Sequence, residues 1–211
     1  APLAFAGDNR SLYLLSSAGG NTVELRSLDV TTGAQTTIAG DPTADVSEVM
    51  IHPRTHQVEA VAFTRARKEW QAVDPALREH FDAIAGIHAG DVIIGSRDDE
   101  NRTWLLAFLE DKGPVAYYAY ERASKQATFL FHHQPALADL PLAEMKPISY
   151  QARDGLTIHG YLSTPVGVEA KDLPAVVLVH GGPWHRDTWG YNGLVQLFTN
   201  RGYAVLQPVS S

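Results

Sequence analysis

Leu173-Pro174-Ala175-Val176-Val177-Leu178-Val179-His180-Gly181-Gly182-Pro183-Trp184 runs from a stretch of buried-strand residues straight into a double glycine. An amphipathic segment follows at residues 193–200, then Gly202 as a helix stop, then a second apolar run, Tyr203-Ala204-Val205-Leu206. Strand, glycine-rich turn, helix and strand in that order predict a parallel βαβ unit. Backbone N–H groups exposed just past a strand lie at the carboxyl edge of the sheet, where α/β folds place ligands.

Working back from this unit, residues 148–152 and 156–162 flank Asp154-Gly155. Two alternating runs around Asp-Gly predict a hairpin with a two-residue turn. Pro135, Pro141 and Pro147, set among small apolar residues, predict a linker over 135–147 and a domain boundary there. The region before it has another texture. Short alternating runs at 11–16, 22–29, 35–39, 46–52 and 58–64 are separated by turn clusters such as Gly19-Gly20-Asn21 and Thr31-Thr32-Gly33. Four further runs, at 91–96, 103–109, 115–120 and 127–131, repeat the rhythm, as in one blade of a β-propeller. Between the two groups, Val73, Leu77, Phe81 and Ile84 stand near helical spacing, which predicts a helix over 70–84 with Asp74 as its N-cap. The expected fold class is therefore partial, all-β propeller blades over 1–134, with a helical insertion near 70–85. The start of an α/β domain, carrying the βαβ unit, follows over 148–211. About three blades' worth of strands falls short of the roughly four that a closed propeller needs. The chain, which also lacks an initiator Met, is therefore expected to be the middle of a longer polypeptide.

The totals narrow the partners. Among 211 residues, 17 Lys and Arg face 24 Asp and Glu, for a net charge of −7 and no basic run. Phosphate binding needs clustered Lys and Arg, so nucleic acid is not an expected partner. No apolar run approaches the roughly 20 residues that span a bilayer, so no membrane partner is expected either. With no Cys there is no disulfide framework and no thiolate chemistry. That fits the cytoplasm and is compatible with the periplasm. Exposed sheet edges would make the chain, folded by itself, associate with further copies.

His180-Gly181-Gly182-Pro183 is the motif here with a mechanism. Glycine lets the backbone approach a ligand closely, and proline fixes the loop and removes a competing donor. The Gly182 N–H would then stabilise a carbonyl oxygen as it gains charge. The bland alternative is an ordinary strand-to-helix turn. Other clusters carry less. His52 with His56, and His132 with His133, lack the three or four convergent ligands of a zinc site. Asp98-Asp99-Glu100 reads as a solvated turn. Tyr117, Tyr118 and Tyr120 share a strand, with Tyr118 and Tyr120 on one face, and read as packing. No glycine-rich phosphate loop with a following Lys exists, and no cofactor or metal is expected.

Residues 180–206, with His-Gly-Gly-Pro-Trp-His-Arg-Asp-Thr-Trp-Gly-Tyr and Asn-Arg-Gly-Tyr-Ala-Val-Leu-Gln, resemble the start of the catalytic domain of the prolyl oligopeptidase family of serine peptidases. They are most similar to its acylaminoacyl-peptidase and dipeptidyl-aminopeptidase-like branch. Residues 152–162 resemble the hairpin that opens that domain, and a propeller before an α/β-hydrolase domain is that family's order. The resemblance implies a peptide substrate, with Gly182 as one oxyanion-hole amide. Gly181, His180 and Pro183 would support the loop, while Trp184, Arg186 and Asp187 would shape the substrate rim. It also implies a nucleophile elbow of the Gly-x-Ser-x-Gly type, then an Asp and a His, all after this segment. The sequence reads Pro208-Val209-Ser210-Ser211 instead and contains no Gly-x-Ser-x-Gly. Neither terminal Ser sits on an elbow, so the 211 residues by themselves are expected to be inactive. An esterase would more often carry His-Gly-Gly-Gly and rarely follows propeller blades. A non-catalytic binding propeller would need more blades than are present.

Overall fold

The computed structural model describes residues 1–182 and 185–209. Three consecutive β-sheets come first. The strands β1 (Pro2–Phe5), β2 (Ser11–Ser16), β3 (Glu24–Asp29) and β4 (Gln35–Ala39) form a four-stranded sheet in chain order, antiparallel throughout. A three-stranded antiparallel sheet follows, made of β5 (Val46–Ile51), β6 (Val58–Thr64) and β7 (Lys68–Ala72). The third, again in chain order, holds β8 (Asp91–Arg97), β9 (Thr103–Leu109), β10 (Ala116–Glu121) and β11 (Gln126–His132). These are open propeller blades. The fourth sheet differs in kind. It holds β12 (Met145–Gln151), β13 (Thr157–Ser163), β14 (Ala175–Val177) and β15 (Ala204–Val209), in the order β12-β13-β15-β14. Here β14 runs parallel to β15, with Val176 opposite Val205, and a helix connects them, as a βαβ unit requires.

By contacts the chain divides into two compact units. One comprises residues 1–88, 94–106 and 118–128, and the other residues 89–93, 107–117 and 129 onward. In the first unit, alternation in the blades delivers Leu25, Val46, Val61 and Phe63 to one core, each at most 3% exposed. Beside it lies a buried polar network. Glu59, 4% exposed, receives Arg97 on one carboxylate oxygen and Asn101 Nδ2 at 2.8 Å on the other. Asn101 in turn accepts from the Trp104 indole at 2.8 Å. The tyrosines divide much as strand alternation requires. Tyr120 is fully buried with its hydroxyl 2.9 Å from His80 Nδ1, while Tyr117 stacks on Phe131 at 4.8 Å between ring centroids.

The segment at 70–84 differs from the expected single helix. Its first residues belong to β7, where Trp70 pairs opposite Ala62 of β6. Ladder bonding to a formed neighbour outweighs helical spacing in a stretch that pattern alone leaves ambiguous. Asp74 does cap, its carboxylate accepting from Ala76 N at 2.9 Å, but the turn it opens is 3₁₀. The helix proper, α1, spans Arg78–Ala85. Short, exposed β1 carries no alternation signal and was not expected. The hairpin at Asp154-Gly155 also forms with a difference. Ala152 N donates to Leu156 O at 2.8 Å and Gly155 N to Ala152 O at 3.0 Å, so three residues make the turn, with Gly155 at φ +86°. That is the three-residue hairpin with a left-handed glycine, not the two-residue form.

One acid in the first unit has a testable titration. Asp41 accepts from the Thr43 main-chain N–H and hydroxyl, and pairs with Arg65 at 2.6 Å. These bonds hold its carboxyl down to about 2. Because the folded value lies below the unfolded one of about 3.9, the bonds stabilise the fold above that pH. Their contribution is lost as pH falls through about 2. An NMR titration of the Asp41 carboxyl should show a midpoint near 2; a midpoint at the ordinary carboxylate value would refute these contacts in solution.

Candidate active site

The site lies in the second unit and is built from the fourth sheet. β13 is its inner antiparallel strand, pairing β12 on one side and β15 on the other. Gly160 is required there: a Cβ would meet Gln207 O at 2.7 Å, so only glycine lets β15 approach at this register. From β14 the chain leaves the sheet's edge with Leu178 N donating to Leu206 O at 2.9 Å. Val179, Gly181 and Gly182 are then exposed. His180 Nδ1 lies 2.7 Å from Gly181 O, and its ring stands edge-on to that of His185, 6.0 Å between centroids. A Cβ on Gly181 would meet nothing within 4 Å among the described residues, which leave open space beside this backbone. A bare main chain beside open space is what close approach of a ligand demands.

Beyond the turn the chain is fastened again. Arg186 and Asp187 are half-buried, and Arg186 Nε donates to Asp187 O at 3.3 Å. Tyr161, a β13 residue 1% exposed, packs with Met145, Val209 and Trp189. The Trp189 indole donates to Met145 O at 2.8 Å. Burial pushes the Tyr161 hydroxyl above its ordinary value, against the opposing pull of Arg186. Tyr191 N donates to Glu110 O at 2.7 Å. Asn192 then caps helix α2 (Gly193–Thr199), accepting from Leu194 N and Val195 N at 3.0 and 3.2 Å. On this helix Gln196 binds both main-chain groups of Ala143, pinning the proline-marked segment that precedes β12.

The structure thus brings His180, Gly181, Gly182, Arg186 and Asp187 onto one loop at the carboxyl end of β14. Pro183 and Trp184 lie outside the described residues. Arg186, Asp187 and Trp189, with Glu110 and His133, line an open cavity of about 540 Å³. Asp187 Oδ2 is buried with no hydrogen-bond partner among the described residues. Sequence reasoning passed over Tyr161 and Trp189. Tyr161 is an inward position of an alternating strand, and nothing in the sequence marks it as a packing partner of Trp189. Among the described residues no group of three or more His, Asp or Glu could hold a metal ion. No helix among them is long and apolar enough to cross a membrane.

No family model matches the chain. It is 38% identical over 206 residues to dipeptidyl aminopeptidase BIII of Pseudoxanthomonas mexicana, an alignment covering 94% of this chain and 30% of that protein. It is 30% identical over 186 residues to dipeptidyl peptidase family member 6 of Caenorhabditis elegans, covering 78% of this chain and 25% of that one. The chain thus spans less than a third of the length of these relatives. Among solved structures, the acylaminoacyl peptidase of Pyrococcus horikoshii superposes with a TM-score of 0.63 at 17% identity, over 98% of this chain and 32% of its own. A prolyl endopeptidase superposes with a TM-score of 0.68 at 12% identity, over 99% of this chain and 31% of its own.

Proposed function

Since the chain belongs to the prolyl oligopeptidase family, we propose that the whole protein is a serine peptidase that cleaves short peptides, releasing dipeptides from their N-terminus. The observation that carries this reading is the exposed Gly181–Gly182 backbone beyond the carboxyl end of β14, in a chain akin to a dipeptidyl aminopeptidase. In this reading a Ser beyond residue 211 attacks the peptide carbonyl with a His as general base. The Gly182 N–H holds the oxyanion together with the N–H after that Ser. His180, Gly181 and Pro183 support the loop, and Trp184, Arg186 and Asp187 bound the substrate cleft. Residues 1–134 supply propeller blades that limit access, and 135–147 join them to the catalytic part from 148. The substrate is a peptide, and the 211 residues by themselves supply no nucleophile.

The test assays dipeptidyl, aminoacyl and N-acyl-aminoacyl chromogenic substrates on the whole protein and on residues 1–211 alone. Dipeptidyl turnover by the whole protein, abolished by a serine-directed phosphonate, is expected, with none from residues 1–211. Release of only single or acylated residues would move the specificity elsewhere in the family. Phosphonate-sensitive turnover by residues 1–211 would defeat the assignment of the nucleophile.

A further inference from the structure

One imidazole in the first unit ties helix α1 to strands β9 and β10. His80, half-buried on α1, places Nδ1 2.9 Å from the hydroxyl of Tyr120 on β10. Its ring centroid lies 5.7 Å from that of Trp104 on β9 and 5.9 Å from that of Tyr120, and both aromatic side chains are fully buried. A buried hydroxyl has to place its proton on an acceptor. Among the described residues the Tyr120 hydroxyl has His80 Nδ1 as its one partner. The phenol therefore donates and Nδ1 accepts, which leaves the imidazole neutral with its own proton on Nε2.

Acid reverses this bond. A proton on Nδ1 makes that nitrogen a donor, and the Tyr120 O–H is stranded in the core without an acceptor. The new cation also meets positive charge. Arg122, just past β10, lies over the Trp104 ring at 5.1 Å and donates to Asn101 O at 3.0 Å, but pairs with no carboxylate among the described residues. Lys125, in the turn before β11, faces the imidazole too. The carboxylates that face it are Glu79 on α1 and Glu59 on β6. Both are already paired, Glu79 with Lys125 and Glu59 with Arg97. Glu121 on β10 bonds the Thr103 hydroxyl instead. Burial first, then Arg122 and Lys125, hold the His80 pKa below its ordinary value.

We propose that His80 is an acid-operated latch: neutral, it fastens α1, the connection between the β5–β7 sheet and the β8–β11 sheet, and protonated, it lets the helix open. The rest of the hold on α1 does not respond in the same range. Ile84 is buried and Phe81 stacks on Trp70 at 5.9 Å. The Glu79 carboxyl, bonded by Lys125, titrates below the ordinary carboxylate range. The opening is therefore local and leaves the strands paired. Because the folded value of His80 lies below the unfolded one, the latch stabilises the fold above about pH 6.5 and is lost as pH falls through the folded value. None of this depends on the oxyanion-hole reading of Gly182.

The experiment measures amide exchange by mass spectrometry on the whole protein, at about pH 5 and about pH 7.5, either side of the ordinary imidazole value. Rates are corrected for the intrinsic pH dependence of exchange. Protection over Arg78–Ala85 should fall on the order of 10-fold at the lower pH, the worth of one stranded buried hydroxyl. Protection over Val58–Thr64 should stay level. His80→Gln should abolish the difference and keep α1 protected at both pH values, because its amide oxygen accepts the Tyr120 proton and never charges. Tyr120→Phe should narrow the difference, since no hydroxyl remains to be stranded. Equal exchange of α1 at both pH values in the unaltered protein would overturn the proposal. A full difference surviving in His80→Gln would overturn it as well, by placing the titration on another group. Should His80→Gln fail to fold, Tyr120→Phe decides, and a difference as large as in the unaltered protein would then sink the latch.

Discussion

Gly182→Pro in the whole protein lowers kcat by about 10²- to 10³-fold with little change in KM, the expected result of deleting one oxyanion donor, worth about 2.7–4 kcal/mol. Proline removes the N–H itself, which no other residue does. The donor acts on charge that develops as the carbonyl is attacked, so its loss falls on kcat and spares ground-state binding. Gly182 is exposed, so the substitution removes no packing from the core. Steady-state kinetics on a dipeptidyl chromogenic substrate, with a thermal melt as control, make the measurement. An unaltered kcat would remove Gly182 from the mechanism. A melt shifted in step with kcat would reassign the loss to folding.

The largest effect on stability is expected in the first unit. Glu59→Ala should destabilise the first unit by about 3–5 kcal/mol, because it leaves a buried guanidinium uncompensated. The Arg97 side chain is 15% exposed and that of Glu59 5%, so solvent screens this pair far less than the surface ion pairs. The substitution also takes from Asn101 Nδ2 its Glu59 acceptor, while Asn101 Oδ1 still accepts from the Trp104 indole. Replacing both ions, as Glu59→Leu with Arg97→Met, should cost clearly less than Glu59→Ala, since no lone charge then stays buried. Denaturant midpoints of the three proteins decide the matter. Equal losses for the single and double variants would mean that packing, not charge, dominates there.

Most of the strand inventory was legible in local pattern. Alternation and turn residues place β2, β4, β6 and β9 within the bounds the structure has. The βαβ order around His180-Gly181-Gly182 was equally legible, because glycine, buried β-branched runs and a capped helix are local signals. Where a neighbour decides, pattern reading fails. Lys68–Ala72 became β7 by pairing with β6, and Pro2–Phe5 became β1 by pairing with β2. The site divides along the same line. The motif names the loop and its glycines, since a backbone donor near a ligand needs them. Only the tertiary structure shows that the Trp189 indole bonds Met145 O across 44 positions of sequence, and that Trp189 packs with the buried Tyr161. Hydrogen bonds between distant side chains leave no period or spacing in a sequence, because they form only once the sheet has set its register.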